Sequence, residues 1–449
     1  LRIGPMGGPQ SWVAQTVELM PATTASEIDN ILARLKAIPQ FIDESIALME
    51  RGVQLGVTPP KITLRDAGHD ETSHLSLSKT LRGGPGELEA TRIVDSHVLP
   101  SYQAFNKFVV DSYVPRCRET TSWSDLPDGD AWYAWLVRYF TTTDMTPGEI
   151  HEVGLSEVER IRAQMQDVIA SSGFVGGFDE FCEFLRTDPQ FYFDDAADLL
   201  AAYRDISKRA DPELAKLFGV LPRLPYGVAP VPDYIEKTTT TAYYMRGSPE
   251  AARPGYFYAN TYDLKSRPKW EMEALTLHEA VPGHHLQLAL SQEMQDVPEF
   301  RKNSLLTAYI EGWGLYAESL GEQMGFYQDP YSKFGQLTYE MWRAVRLVVD
   351  TGIHALGWTR DQAIDFFKAN SSKPEHDITV EIDRYISWPG QALAYKIGEL
   401  KIKSLRAEAE RRLGDAFDIR KFHDELLGIG ALPLDILTER MIRWIDSFV

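Results

Sequence analysis

The sequence has 449 residues, of which 44% are hydrophobic and 25% charged. That is a globular composition with material for a large core, not a disordered one. A formal net charge of −19 excludes nucleic acid as a partner, because phosphates call for clustered Lys and Arg, and it disfavours an anionic membrane surface. No apolar run reaches 18 residues, so no transmembrane segment is expected. Two cysteines, Cys117 and Cys182, allow at most one disulfide and are not spaced as metal ligands, so buried free thiols are expected.

Taken in chain order, the opening residues Leu1 to Pro9 do not read as a secretory signal. A cytoplasmic location is expected, with export of a longer precursor left open. Apolar residues at three- and four-residue steps predict a long helix from Ser26 to about Met49. Pro59-Pro60 and Gly83-Gly84-Pro85-Gly86 place loop within 57–90, and a helix is predicted over 95–115. Thr146-Pro147-Gly148-Glu149 is a helix start with a capping-box glutamate, leading to about Ser171. Within it, His151-Glu152 begins like a metal motif but has no second histidine, and reads as a solvated helix face. Further helices are predicted at 178–186, 192–208 and 211–217.

The Pro-rich stretch Leu221 to Pro232 breaks the helical pattern. Thr238 to Met245 and Gly255 to Tyr262 are rich in Thr and aromatic residues and predict two paired antiparallel strands. From Glu271 onward the pattern is helical again, punctuated by prolines. The expected class is mostly α with one small antiparallel sheet beside the active-site helix. The chain is expected to form a single catalytic body over 1–449, with a helical half at about 1–220 and an active-site half at about 221–449.

Three of ten histidines fall in the run His278-Glu279-Ala280-Val281-Pro282-Gly283-His284-His285. A catalytic zinc site takes neutral imidazoles and a carboxylate and leaves one position open. The common helical arrangement, His-Glu-x-x-His, sets two ligands one turn apart with the Glu beside them. Here the second histidine comes two or three residues late. On a straight helix, His285 shares a face with His278 but lies about 10 Å further along the axis. Pro282 and Gly283 permit a bulge that would bring His284 to the metal instead. His278 and His284 are therefore the expected ligands, with His285 the alternative. Glu279 is the expected general base, taking a proton from activated water and passing it to the leaving group. The run Tyr309 to Glu318 supplies Glu311 as the third ligand, next to two glycines that allow close approach. Glu318, seven residues on and on the same face, is placed to orient a histidine. One zinc ion is expected, although manganese or iron would tolerate the same ligands.

These runs, together with Arg346 to His354 and Arg384-Tyr385-Ile386-Ser387-Trp388-Pro389-Gly390-Gln391, resemble a widespread bacterial family catalogued as a domain of unknown function. That family is similar to the helical gluzincin peptidases, such as carboxypeptidase Taq, thimet oligopeptidase and angiotensin-converting enzyme. The resemblance implies a deep cleft with the metal at its floor, and short peptides or small amides as substrates. It also implies His and Tyr donors to a developing oxyanion, for which His354, paired with Asp350, Tyr385 and Tyr395 are the candidates. The strand at 255–262 stands where a gluzincin edge strand would pair with extended substrate, with Tyr258 and Asn260 as contacts. Arg384 is a candidate for a substrate carboxylate or for an ion pair with Glu381. Three functions stay open on these grounds: a zinc-dependent peptidase or amidase, a metal enzyme with another reaction, and a non-catalytic binding protein on the same scaffold.

Overall fold

The structure is a computed structural model that describes residues 3–4, 7–18, 20–65, 83–233, 235–236, 240–248, 253–295 and 297–448. The predicted loop over 57–90 and the start of the predicted strand at Thr238 lie partly outside these residues. The chain forms two compact units. One comprises Leu1–Tyr133, Ile353–Arg360 and Thr379–Pro389, and the other Ala134–Gly352, Asp361–Ile378 and Gly390–Val449.

In the first unit, helix α1 (Ala25–Gln54) starts at a capping box in which the Thr24 hydroxyl accepts from the Glu27 N–H. The Glu27 carboxylate in turn accepts from the Thr24 N–H, so two otherwise unpaired donors are satisfied. Its buried stripe of Ile28, Ile31, Leu32, Leu35, Ile38, Ile42 and Met49 packs on a helical run from Glu87 to Arg116, through Ile93, Val98, Tyr102, Phe105 and Tyr113.

The second unit carries the Thr146 capping box as read, opening helix α2 (Pro147–Ser171). The expectation of a solvated His151 does not hold. His151 is buried, and its Nδ1 bonds the Thr351 hydroxyl at 2.9 Å. Gly154, one turn along, lets α2 lie directly on the side chains of Leu347 and Val348.

The sheet also departs from expectation. Strand β1 (Tyr226–Pro230) arises inside the Pro-rich stretch and runs parallel to β3 (Gly255–Ala259), while β2 (Ala242–Met245) runs antiparallel to β3 on its other side. The sheet is therefore mixed and three-stranded, in the order β1-β3-β2. Both edges of β3 are already paired. The strand expected to take up substrate is the central one, and has no free main-chain edge to offer.

After the sheet come the helices that matter for the site: α3 (Met272–Glu279), α4 (His284–Glu293), α5 (Thr307–Ser319), α6 (Pro330–Ala355) and α7 (Ala394–Leu413). Helices α5 and α7 touch backbone to backbone. A Cβ on Gly398 would sit 1.9 Å from the Ala308 carbonyl oxygen, and one on Gly312 would sit 2.5 Å from the Gly398 backbone.

Beside this crossing, Lys396 is fully buried and pairs with Glu157, Glu340 and Glu399 at 2.8–2.9 Å. Arg160 and Lys403 complete a set of three acids and three bases. A charge balanced in this way can be kept in a dry interior. Cys117 and Cys182 are buried free thiols, and burial pushes them up to about 11 and about 12. No helix among the described residues is long and apolar enough to cross a membrane.

Candidate metal centre

Helix α3 ends at Glu279 because Pro282 has no N–H to give to the His278 carbonyl. The last regular bond runs from the Ala280 N–H to the Thr276 carbonyl. Ala280 then leaves the helical region (φ −96, ψ −110), and the Val281–Pro282 peptide is cis. Gly283 lies so close beneath the α3 terminus that a Cβ there would stand 1.9 Å from the His278 carbonyl oxygen. The expected bulge within one helix is thus a turn between two helices, and α4 begins at His284. The Trp313 indole N–H pins this turn by donating to the Pro282 carbonyl at 2.9 Å.

The turn brings His284 back over His278, with the two rings edge to face at 4.6 Å between centroids. Glu311 Oε2 lies 3.6 Å from His278 Nε2 and 3.5 Å from His284 Nε2. These three are the residues, among those described, whose ligand atoms gather within 4.8 Å of one another. Ligands held about 2.0–2.2 Å from a tetrahedral zinc are spaced about 3.3–3.6 Å apart, so the donor set and the spacing of Glu311 from each histidine fit a single divalent cation.

His285, the alternative, points elsewhere. It is buried under the sheet, its Nδ1 meets the Tyr244 hydroxyl at 2.9 Å, and its ring lies 4.6 Å from that of Tyr226. Burial pulls it down to about 4.

Glu318 is fully buried, and its Oε1 accepts from His278 Nδ1 at 2.7 Å. That bond assigns a proton to Nδ1 and leaves Nε2 directed at Glu311. Gly314 provides the room, since a Cβ there would stand 2.7–2.8 Å from His278 Cε1 and Nε2. Burial works against a charge on His278, but hydrogen bonds to Glu311 and Glu318 and the charges of Glu318 and Glu279 prevail, pushing it up to about 10. Burial would raise Glu311, yet the two histidines hold it well below the usual carboxylate range. The acids draw positive charge to this point, and a divalent cation supplies it as well as a proton does. Glu311 keeps 22% of its side chain exposed, so the cluster is reachable from solvent.

Glu279 ends α3 with 9% exposure, and its carboxylate has no hydrogen bond or ion pair among the described residues. Tyr395 is nearly buried, its hydroxyl likewise unbonded among the described residues, with the Arg346 guanidinium 4.5 Å from the ring centre.

The other expected residues are committed to structural tasks. Asn260 is buried, donates to the carbonyls of Glu236 and Thr240, and accepts from the Tyr262 N–H, so its amide closes a loop and does not present to a substrate. Tyr258 stacks on Tyr243 at 5.1 Å across the β2–β3 pair. In the first unit, His354 is fully buried, accepts from the Trp123 N–H at Nδ1, and donates from Nε2 to the Tyr385 carbonyl at 3.1 Å. Asp350, in the second unit, accepts from the Gly390 N–H. Burial takes His354 down to about 3, so it is a neutral strut with neither nitrogen left to donate to a substrate. The Tyr385 hydroxyl donates to Glu381 at 2.6 Å, and Arg384 pairs with the same carboxylate at 3.5 Å.

Sequence reasoning overlooked Trp313. The signal was there, since a buried indole must find an acceptor for its N–H.

A family model described as "Bacterial protein of unknown function (DUF885)" matches residues 2–441. The chain belongs to the DUF885 family. The DUF885 chain is also similar to the crystal structure of "the putative lipoprotein from Colwellia psychrerythraea", with TM-score 0.93 and 30% identity over 99% of this chain and 80% of that one. A second structure, "a putative lipoprotein of unknown function from Shewanella oneidensis", shares the fold at TM-score 0.67 and 16% identity, covering 97% of this chain and 82% of the other. No curated protein matches the sequence.

Proposed function

We propose that this DUF885 protein is a metal-dependent hydrolase, a peptidase or amidase acting on short peptides or small amides. The observation that carries the reading is the convergence of His278 Nε2, His284 Nε2 and Glu311 Oε2 beside Glu279, whose carboxylate has no hydrogen bond or ion pair among the described residues. A bound zinc ion would supply an acidified water and a Lewis acid for the substrate carbonyl.

The chain does the rest. Glu311 and the two imidazoles hold the ion. Glu318 fixes the His278 tautomer. The Glu279 carboxylate takes a proton from water and delivers it to the departing nitrogen. Of the proposed oxyanion donors, Tyr395 is the one whose hydroxyl is not already bonded among the described residues. The preference for small substrates rests on the gluzincin resemblance. The Colwellia protein's name supports an exported location, and cell fractionation decides between that and the cytoplasm.

The test is elemental analysis of protein purified without chelator, beside His278→Ala and Glu279→Gln. About one zinc per chain is expected in the parent and in Glu279→Gln, and none in His278→Ala. Hydrolysis of a peptide library should fall about 10²–10⁴-fold in Glu279→Gln. Failure of the parent to bind zinc, even after incubation with it, would leave a binding role as the better account.

A further inference from the structure

The Glu318 carboxylate has no exposed surface, and its one hydrogen bond among the described residues comes from His278. A carboxylate in that position needs a counter-charge close by. The structure provides it from α6, where Arg343 Nη2 lies 3.6 Å from the same Glu318 oxygen that bonds His278.

Arg343 is itself only 6% exposed and uses its donors sparingly. Nη1 donates to the Tyr339 carbonyl at 3.2 Å, and Nε is buried without an acceptor among the described residues. Its guanidinium is confined among three rings, 4.6 Å from the centre of Tyr339, 5.3 Å from Trp342 and 5.9 Å from Tyr395. A buried guanidinium with so few bonds is retained for its charge rather than for hydrogen bonding, and the aromatic walls keep that charge where it is.

We infer that Arg343 is a positioning residue for the metal centre, acting through Glu318. It anchors the carboxylate that aims His278, so that α3, α5 and α6 are joined in one line: His278, Glu318, Arg343. The inference deepens the proposed function and rests on it, since it presumes that the cluster binds a cation. It assigns the arginine no contact with substrate or metal.

The experiment is a zinc titration against a chelator of known affinity, performed on the full chain for the parent, Arg343→Met, Arg343→Lys, Glu318→Gln and the Glu318→Gln/Arg343→Met pair. Arg343→Met should weaken zinc binding about 10–100-fold, the range found for groups that orient metal ligands. Arg343→Lys should recover most of the loss, because it keeps the charge. In the Glu318→Gln background, Arg343→Met should change the zinc Kd less than twofold, since the group it acts through is gone.

An Arg343→Met protein that binds zinc as tightly as the parent overturns the inference and leaves the hydrolase reading intact. So does a full, additive loss in the double variant. A parent that binds no zinc overturns both. Should Arg343→Met not fold, Glu318→Gln and Glu318→Gln/Arg343→Gln are compared instead. Equal zinc affinities uphold the coupling, and a further tenfold loss refutes it.

Discussion

Gly314 is the position at which one carbon atom tests the whole site. In Gly314→Ala the new Cβ would stand 2.7 Å from His278 Cε1, 2.8 Å from Nε2 and 3.1 Å from Nδ1. Comfortable contact is about 3.5–4.0 Å, so the ring has to retreat by roughly 0.8–1.3 Å. It cannot do so without loss. Its Nδ1 is bound to Glu318 at 2.7 Å, and a shift of that size takes the bond beyond hydrogen-bonding distance. Overpacking of this kind costs about 1–3 kcal/mol.

For metal binding the effect is larger in proportion, because ligand distances tolerate only about ±0.2 Å. A zinc affinity at least about tenfold weaker is expected. Thermal unfolding of the chelated protein reads the first quantity and zinc titration the second. Gly148→Ala is the control, since a Cβ there meets nothing within 4 Å. A Gly314→Ala protein with the parent's melting temperature and zinc affinity would refute the argument that His278 is held against α5.

Two further expectations concern stability. Lys396→Met leaves Glu157, Glu340 and Glu399 facing two cations in place of three, and should destabilise the protein by about 3–5 kcal/mol in urea unfolding, part of which Glu340→Gln restores. A single variant with parental stability would mean that the network is wetter than its burial indicates. Acid should weaken both units. His354 in the first and His423 in the second are held neutral by burial, down to about 3, whereas an unfolded histidine takes up its proton near 6.5. The unfolded state therefore binds more protons as pH falls below 6.5, and each histidine costs about 2 kcal/mol by pH 5. Urea midpoints at pH 7.5 and 5 measure this, and His354→Gln should remove one histidine's share; a midpoint that stays flat over that range would sink the reasoning.

The long helices were legible because their apolar residues repeat at helical spacing and Thr146 opens one of them with a capping box, a local signal that packing does not overrule. The sheet was half legible. β2 and β3 have the aromatic alternation of strands, but β1 reads Tyr226-Gly-Val-Ala-Pro, whose Gly and Pro signal a breaker. Only the pairing with β3 makes it a strand, and that pairing is invisible in the local pattern. The site divides in the same way. His278, His284, Glu311 and Glu318 come from contiguous motifs on neighbouring helices, and spacing sufficed to nominate them. The choice of His284 over His285 depended on the backbone path through Pro282 and Gly283, which spacing alone leaves open. The commitments of His354 and Asn260 were not legible, because whether main-chain groups have already claimed a polar side chain depends on the fold. The claimants, at Trp123 and Tyr385 for one and Glu236 and Thr240 for the other, are contacts that spacing within a motif does not reveal.

Successive side chains on an α-helix point about 100° apart, so four in a row sweep the full circumference. Residues 311 to 314 use every direction: Glu311 toward the cluster, Gly312 onto α7, Trp313 into the Pro282 turn, and Gly314 under the His278 ring. This single turn of α5 works as a hub from which four neighbours are set at once. Rotating the helix to improve any one of them spoils the other three. A designer who wished to move the clustered side chains would have to rebuild the hub as a unit, because no one of its four residues can be adjusted alone.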